Sequence, residues 1–147
     1  MQNTAQSQYK KVGIVTADKG KLIVLLYDGA IDFIQRAKRS VSDGDVEGKS
    51  NNLNRAYDII QELNFSLDME AGGELAMTLR RLYLFMNRIL VQAKINRDGT
   101  KQMDEVIDML RNLNGAWRAI TMQKPQQPQP QPEFQADPPR LSQKLSA

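Results

Sequence analysis

Apolar side chains recur every three or four residues through most of the chain, a spacing that predicts four amphipathic helices. The predicted helices cover residues 19–41, 45–68, 74–96 and 100 to about 122. Asp18 is the expected N-cap of the first helix, while Gly44, Gly72-Gly73 and Asp98-Gly99 are expected to separate the four. Short connections make consecutive helices antiparallel, and no stretch alternates apolar and polar residues as a strand would. The pattern therefore predicts an all-α, antiparallel up-down four-helix bundle over residues 18–122.

The two ends of the chain depart from this pattern. All six prolines lie beyond residue 124, and the Gln/Pro-rich segment 123–147 is expected to be a disordered tail. Residues 1–17 are polar and interrupted by glycine, yet they contain an apolar cluster that includes Tyr9 and Val12. This cluster suggests a flexible N-terminal arm that docks on the bundle, and a frayed terminus explains it equally well.

Composition excludes several kinds of chemistry. The chain has no Cys and no His, which excludes disulfide frameworks, zinc sites and nucleophilic catalysis that needs an imidazole base. No apolar run is long enough to span a membrane, and the polar N-terminus is unlike a secretory signal. We therefore expect a cytoplasmic protein without enzymatic activity, without a cofactor or metal, and without direct membrane insertion.

A calcium-loop-like pattern lies between the first two predicted helices. Asp43, Asp45 and Glu47 alternate before Gly48, but the twelfth position is Asn54 where a bidentate Glu should complete the ligand shell. The second helix is also predicted to begin within this segment. We interpret it as a helix-helix turn in which Asp45 is the N-cap.

Pairs of carboxylates raise the possibility of a metal-dependent enzyme. Asp28 and Asp32 lie four residues apart in the first helix, and Asp104 and Asp108 do so in the fourth. Bundle di-metal sites also use Glu-x-x-His motifs, which a chain without His cannot supply. We interpret the pairs as solvated helix faces, and a metal assay separates the two readings.

Basic clusters raise a second alternative, a helical-bundle nucleic-acid-binding or regulatory protein. The clusters contain Arg36, Lys38 and Arg39 in the first helix and Arg80, Arg81 and Arg88 in the third. The net charge is only +3, acidic residues are interspersed, and no aromatic platform accompanies the arginines. A mixed surface without nucleic-acid binding explains them better, whereas salt-sensitive retention on RNA or DNA would favour the alternative.

The predicted helices carry more large apolar side chains than packing against their neighbours in a bundle requires. Met77 and Phe85 lie outside the main stripe of the third helix, and Tyr27, Tyr57, Tyr83 and Met86 add further apolar width. Such adaptable side chains can hold a partner helix in a groove. By pattern alone, completion of the core explains them better.

Several stretches are more specific than periodicity. TADKGKL at 16–22, LYDGA at 26–30, SLDMEAGGE at 66–74, LYLFM at 82–86 and Ala116-Trp117 follow one another in an order that resembles the flagellin-specific export chaperone family, FliS. The resemblance covers residues 9–122. The family often opens its first helix with Ser-Pro-Glu, where this chain has Asp18-Lys19-Gly20, so a frayed first turn is expected.

The resemblance implies a cytoplasmic chaperone that binds the disordered C-terminal segment of flagellin in apolar grooves between helices. It would prevent premature polymerisation and deliver its client to a component of the flagellar type III export gate. The groove residues implied by motif position and apolar excess are Tyr27, Leu67, Met69, Leu82, Phe85, Met86 and Ile89. Tyr9 and Val12 resemble part of a mobile cap that occupies the groove without client, and an empty groove would favour self-association.

Overall fold

A computed structural model describes the backbone of residues 16–123 and the side chains of residues 19–120. Its four helices are α1 (Thr16–Ser42), α2 (Val46–Phe65), α3 (Met69–Ile95) and α4 (Thr100–Gln123). α1 packs against α2 and α4, and α3 packs against the same two helices from the opposite corner. The links have only three or four residues, so consecutive helices are antiparallel. The predicted all-α four-helix bundle is confirmed.

The α1–α2 connection is a turn with a capped helix start, as the sequence indicated. Gly44 takes a positive φ of 72°, which favours glycine, and the Asp45 carboxylate accepts a hydrogen bond from the Gly48 backbone N–H. Asn54 lies well inside α2, so the calcium-like pattern is part turn and part helix. Lys49 in the second turn of α2 is buried, and its Nζ donates to the carbonyl of Asn96 at 2.5 Å.

The α2–α3 junction differs from the prediction. α2 ends at Phe65, and α3 begins at Met69, five residues before the predicted start. The Asp68 carboxylate accepts hydrogen bonds from the backbone N–H groups of Glu70 and Ala71, and this cap starts a helix before the glycine pair. Gly73 interrupts this helix: its non-helical φ of 53° and ψ of −129° separate one turn at 69–72 from the long part of α3, so the predicted break at the glycine pair is confirmed.

The start of α1 also differs from the prediction. The helix begins at Thr16, so Asp18 lies in its first turn and is not the N-cap.

None of the helices between residues 16 and 123 combines the length and apolar character that a membrane crossing requires. The predicted arm and tail, apart from the helical residues 16–17 and 123, lie outside the described residues.

The core is built from aliphatic side chains, alanines and two tyrosines. Each helix contributes a buried stripe, and alanines allow the helices to approach closely. The largest buried side chains are Tyr27, Tyr83, Ile34, Leu53, Ile60, Leu63, Met86, Leu90, Met103, Val106 and Leu110. This continuous core places the start of α1, the α2–α3 junction and the end of α4 at one end of the bundle.

Candidate binding cleft at one end of the bundle

An open cleft of about 340 Å³ lies at this end of the bundle. We define the cleft by the six large side chains that line it: Ile23, Leu67, Leu75, Leu79, Tyr83 and Trp117. They come from α1, the α2–α3 junction, the first five turns of α3, and α4. Because antiparallel packing brings these positions together, residues far apart in sequence share one concave apolar surface.

Small residues make the surface concave. Gly20, Ala71, Gly72 and Ala76 also line the cleft, so little side-chain volume fills the space between α1 and α3. A Cβ atom on Gly72 would lie 2.7 Å from the Cβ of Ala76, closer than real Cβ contacts, so this turn of α3 requires glycine. The next residue in the sequence is Gly73, where the backbone of α3 bends. The glycine pair therefore shapes the cleft wall and also separates the first turn of α3 from the rest of the helix.

Three aromatic side chains form hydrogen bonds with one another at the base of the cleft. The hydroxyls of Tyr27 and Tyr83 share a hydrogen bond of 2.6 Å, and Trp117 Nε1 donates to the Tyr27 hydroxyl at 3.2 Å. Burial raises the pKa of both tyrosines above the ordinary value, so both are neutral at physiological pH. The buried polar atoms at the base of the cleft therefore pair with each other, and the exposed lining is mainly apolar, with Lys19, Ser66 and Asp68 as its polar members.

The rim of the cleft combines an exposed leucine with a polar link. Leu75 is 66% exposed although it lies beside core residues of α3. Lys19 Nζ donates to the carbonyl of Ser66 at 3.3 Å, which joins the first turns of α1 to the α2–α3 junction. An apolar side chain held open to solvent at a structured concave site is typical of a surface that a partner covers.

The apolar surface continues along the side of α3 that faces α4. Leu75, Leu82 and Ile89 are spaced by seven residues and therefore share a face of the helix, with Phe85 beside them. Leu82 is half-buried, and Phe85 is 41% exposed. Among residues 19–120, no hydrogen bond or ion pair joins α3 to α4. This seam is held by apolar packing alone.

The seam between α1 and α4 is different, because polar contacts lock it. The Asp28 carboxylate accepts from Asn114 Nδ2 at 2.8 Å and from Arg118 at 2.7 Å, and Lys38 pairs with Asp104 at 2.5 Å. Asp28 and Asp104, one member of each carboxylate pair found in the sequence, therefore bridge α1 and α4 rather than lying only on solvated faces. Asp32 pairs instead with Arg36. The members of the Asp28–Asp32 pair bind different partners and do not converge on one point.

The structure distributes the predicted groove residues over three environments. Leu67 lines the cleft, and Met69 is half-buried in the first turn of α3 but outside the cleft lining. Leu82, Phe85 and Ile89 share the α4-facing side of α3, although Ile89 is 9% exposed. Tyr27 and Met86 are fully enclosed in the core. Tyr9 and Val12 lie outside the described residues.

Sequence reasoning omitted Ile23, Leu75, Leu79 and Trp117 from the predicted groove, although all four line the cleft. Each lies on an apolar stripe, so periodicity assigns it to the core. The available signal was the concentration of small residues at 71–73 and at Ala76, which marks a place where large side chains do not fill the helix interface.

The fold and the cleft together define a helical bundle with an open apolar surface at one end. The chain matches the family described as "Flagellar protein FliS" over residues 1–124. It therefore belongs to the FliS family, a family of flagellar secretion chaperones and not of enzymes, and the resemblance found in the sequence is confirmed.

Individual relatives agree with this assignment. The flagellar secretion chaperone FliS of Bacillus subtilis (strain 168) is 37% identical over 110 residues, which cover 75% of this chain and 80% of the relative. FliS of Salmonella typhimurium is 38% identical over 109 residues, covering 74% and 80%. FliS of Vibrio cholerae is 34% identical over 116 residues, covering 76% and 85%.

Proposed function

We propose that this protein is a cytosolic export chaperone that binds the C-terminal segment of flagellin in the cleft and along the α4-facing side of α3. The observation that supports this best is the open cleft, whose large apolar side chains lie over satisfied polar groups. An amphipathic helix or an extended apolar segment can place side chains in such a cleft without leaving buried polar atoms unpaired.

The physical task explains why no catalytic group is needed. A flagellin segment that forms helices in the filament exposes an apolar face when it is free, and that face promotes self-association. Covering the face in the cleft removes apolar area from water and so favours the complex over premature polymerisation. Delivery to a component of the type III export gate then requires release of the client, while the chaperone remains in the cytosol.

Two apolar side chains are well placed to contribute affinity. Full burial of a Leu or Phe side chain contributes about 1.5–3 kcal/mol, and Leu75 and Phe85 retain large exposed fractions. The purely apolar α3–α4 seam can adjust to a client without breaking a polar bond between these helices. Leu67, Met69, Leu82 and Ile89 are proposed as the surrounding contacts.

The N-terminal arm is proposed to compete with the client. It joins α1 at Thr16, and Lys19, Gly20 and Ile23 in the next turns already line the cleft. Tyr9 and Val12 precede Thr16 by seven and four residues in the sequence, and this short separation supports the proposal. Deletion of residues 1–15 should change client affinity if the arm occupies the cleft, and an unchanged affinity would exclude this role.

The direct test is calorimetric titration of the full chain with a peptide from the C-terminus of flagellin from the same organism. We expect saturable binding with a negative heat-capacity change, which is the signature of apolar burial. Leu75→Asp should weaken binding by at least about tenfold, because a carboxylate would then be desolvated in the complex. Leu25→Asp is the matched control, since Leu25 is 64% exposed on α1 and does not line the cleft.

The outcomes separate the proposal from its alternatives. Binding that is lost in Leu75→Asp and retained in Leu25→Asp supports the cleft as the client site. Equal affinity in both variants would place the client elsewhere, and no binding by a folded, monomeric wild type would contradict the proposed client. Light scattering with and without the peptide tests whether the empty cleft drives self-association.

A further inference from the structure

A separate surface follows the outer side of α3, opposite the core. Its members are spaced alternately by four and three residues, so they form one exposed stripe along the helix. We call this stripe the outer α3 face, and it consists of Met77, Arg81, Leu84, Arg88, Val91 and Ile95. At 1.5 Å per residue it is about 27 Å long, and it covers about a quarter of the helix circumference.

Both components of this face are unusual for a plain solvated surface. Its four apolar side chains are 40–72% exposed. Neither Arg81 nor Arg88 forms an ion pair or a side-chain hydrogen bond within the described residues, whereas Arg36, Lys38 and Arg118 elsewhere do. The stripe therefore presents open apolar groups and available cations together.

The charge around the face has one sign along α3. Residues 75–97 contain five basic residues and no acidic residue, with Glu74 and Asp98 on either side. Arg80 and Lys94 flank the stripe on the side of α2, while the exposed carboxylates Asp58 of α2 and Asp108 of α4 lie on the neighbouring helices. A net positive field over an amphipathic ridge is complementary to an anionic surface.

Shape decides which anionic partner fits. α3 is the corner of the bundle diagonal to α1, so the stripe is a convex ridge. A cavity of about 190 Å³ lies beside the stripe, between α2 and α3. Val91 is the only residue of the stripe that lines this cavity, so the stripe itself has no groove for a partner helix. In a dimer formed through this face, Arg81 and Arg88 of one copy would meet the same two arginines of the other copy, and these like charges would repel.

We propose that the outer α3 face docks peripherally on an anionic lipid bilayer. Arg81 and Arg88 contact lipid phosphates, while the side chains of Met77, Leu84, Val91 and Ile95 reach the headgroup–acyl boundary and α3 itself stays on the surface of the bilayer. A deformable planar surface can meet a convex ridge along its whole length, and each cation near an anionic membrane contributes about 1 kcal/mol. The face is distinct from the cleft and from the α4-facing side of α3, so this docking does not depend on flagellin binding.

The test is co-sedimentation of the full chain with phosphatidylcholine vesicles that contain about 30% phosphatidylglycerol, compared with pure phosphatidylcholine vesicles. We expect binding only to the anionic vesicles, with strong weakening in roughly 0.5 M NaCl. The double variant Arg81→Glu/Arg88→Glu should lower partitioning by at least about tenfold. Lys101→Glu/Arg111→Glu makes the same change in net charge at exposed positions of α4 and should leave most binding intact.

Each outcome is decisive. Loss in the α3 double variant alone supports the proposal, and Ile95→Ser should then weaken binding without altering its dependence on salt. Equal loss in both double variants would show an effect of net charge rather than of this face. Absence of wild-type binding, or binding only to a designed acidic amphipathic peptide, would overturn the bilayer as the partner. Circular dichroism of all variants excludes loss of fold as the cause.

Discussion

The hydroxyl of Tyr27 on α1 lies 2.6 Å from the hydroxyl of Tyr83 on α3, which joins two helices that are diagonal in the bundle. Their rings are tilted by 48°, with centroids 6.4 Å apart. Tyr27 also accepts from Trp117 Nε1 on α4, so its oxygen is the shared point of three helices. This small network supports the cleft from below.

Tyr27→Phe is therefore expected to destabilise the fold more than Tyr83→Phe. Loss of the Tyr27 hydroxyl leaves both Tyr83 and Trp117 without their partner, whereas loss of the Tyr83 hydroxyl leaves the Trp117 bond in place. We expect costs of about 2–4 kcal/mol and about 1 kcal/mol, respectively. Urea unfolding at neutral pH measures both, and equal costs would contradict the shared role of Tyr27.

The same tyrosines predict a loss of stability at alkaline pH. Burial raises the pKa of Tyr27 and Tyr83 in the folded state, while in the unfolded chain both ionise near pH 10. The folded state then retains protons that the unfolded state loses, so their contribution is complete below pH 10 and declines above it. The free energy of unfolding should fall by up to about 1.4 kcal/mol per pH unit for each group.

The double variant Tyr27→Phe/Tyr83→Phe is the control for this pH dependence. It removes both buried hydroxyls and leaves every other ionisable side chain of the protein in place. Urea titrations between pH 8 and pH 11 should show a flatter decline in the variant. An identical slope in wild type and variant would mean that other groups govern alkaline unfolding.

Two glycine substitutions should have opposite effects on stability. Gly73 has a positive φ and a ψ that L-residues rarely adopt, so Gly73→Ala should lower the free energy of unfolding by about 1–3 kcal/mol. Gly115 lies inside α4 with no atom within 4 Å of an added Cβ, so Gly115→Ala should raise it by about 0.5–1 kcal/mol. Thermal melts of the two variants provide the comparison, and a stabilising Gly73→Ala would show that the bend is not required.

Lys49 is predicted to be more important for stability than its surface counterpart Lys94. Lys49 is 6% exposed and donates to the last carbonyls beyond α3, at Asn96 and Arg97. Lys49→Met should cost about 1–3 kcal/mol, because those carbonyls lose their partner. Lys94→Met removes only an exposed bond to Asn54 and should cost less than about 0.5 kcal/mol. Chemical denaturation of both variants tests the difference.

Phe85 tests the extension of the client site along α3. Phe85→Asp should reduce flagellin-peptide binding strongly, while helicity and melting temperature change little, since the side chain is 41% exposed. Phe65→Asp, at an exposed position at the end of α2, is the matched control and should bind normally. A comparable loss of fold in Phe85→Asp would assign Phe85 to the core instead.

Helix number, fold class and most helix ends follow from local pattern. Gly44 and Asp98-Gly99 separate helices as their chemistry requires, and the Asp45 cap was visible in the sequence. Gly72-Gly73 interrupts α3 as predicted, while the Asp68 cap starts one further helical turn, 69–72, that the apolar pattern did not indicate. A side-chain cap can therefore start a helical turn that apolar periodicity does not reveal.

The candidate site was predictable only in part. Leu67 and Phe85 were identified from motif position and apolar excess, yet Tyr27 and Met86 are enclosed in the core and Leu75 was missed. An apolar residue on a helical stripe has the same periodicity whether it meets a core neighbour or an open cleft. Which of these occurs depends on what the other three helices place opposite it.

The sequence by itself determined that this chain forms a four-helix bundle and belongs to the FliS family, because helical periodicity and motifs are local properties of the chain. Only the tertiary structure decided which apolar residues remain exposed, because burial depends on residues distant in sequence. It brought Ile23, Leu75 and Trp117 to one cleft and left Arg81 and Arg88 available on the outer α3 face. Both proposals about binding rest on that arrangement.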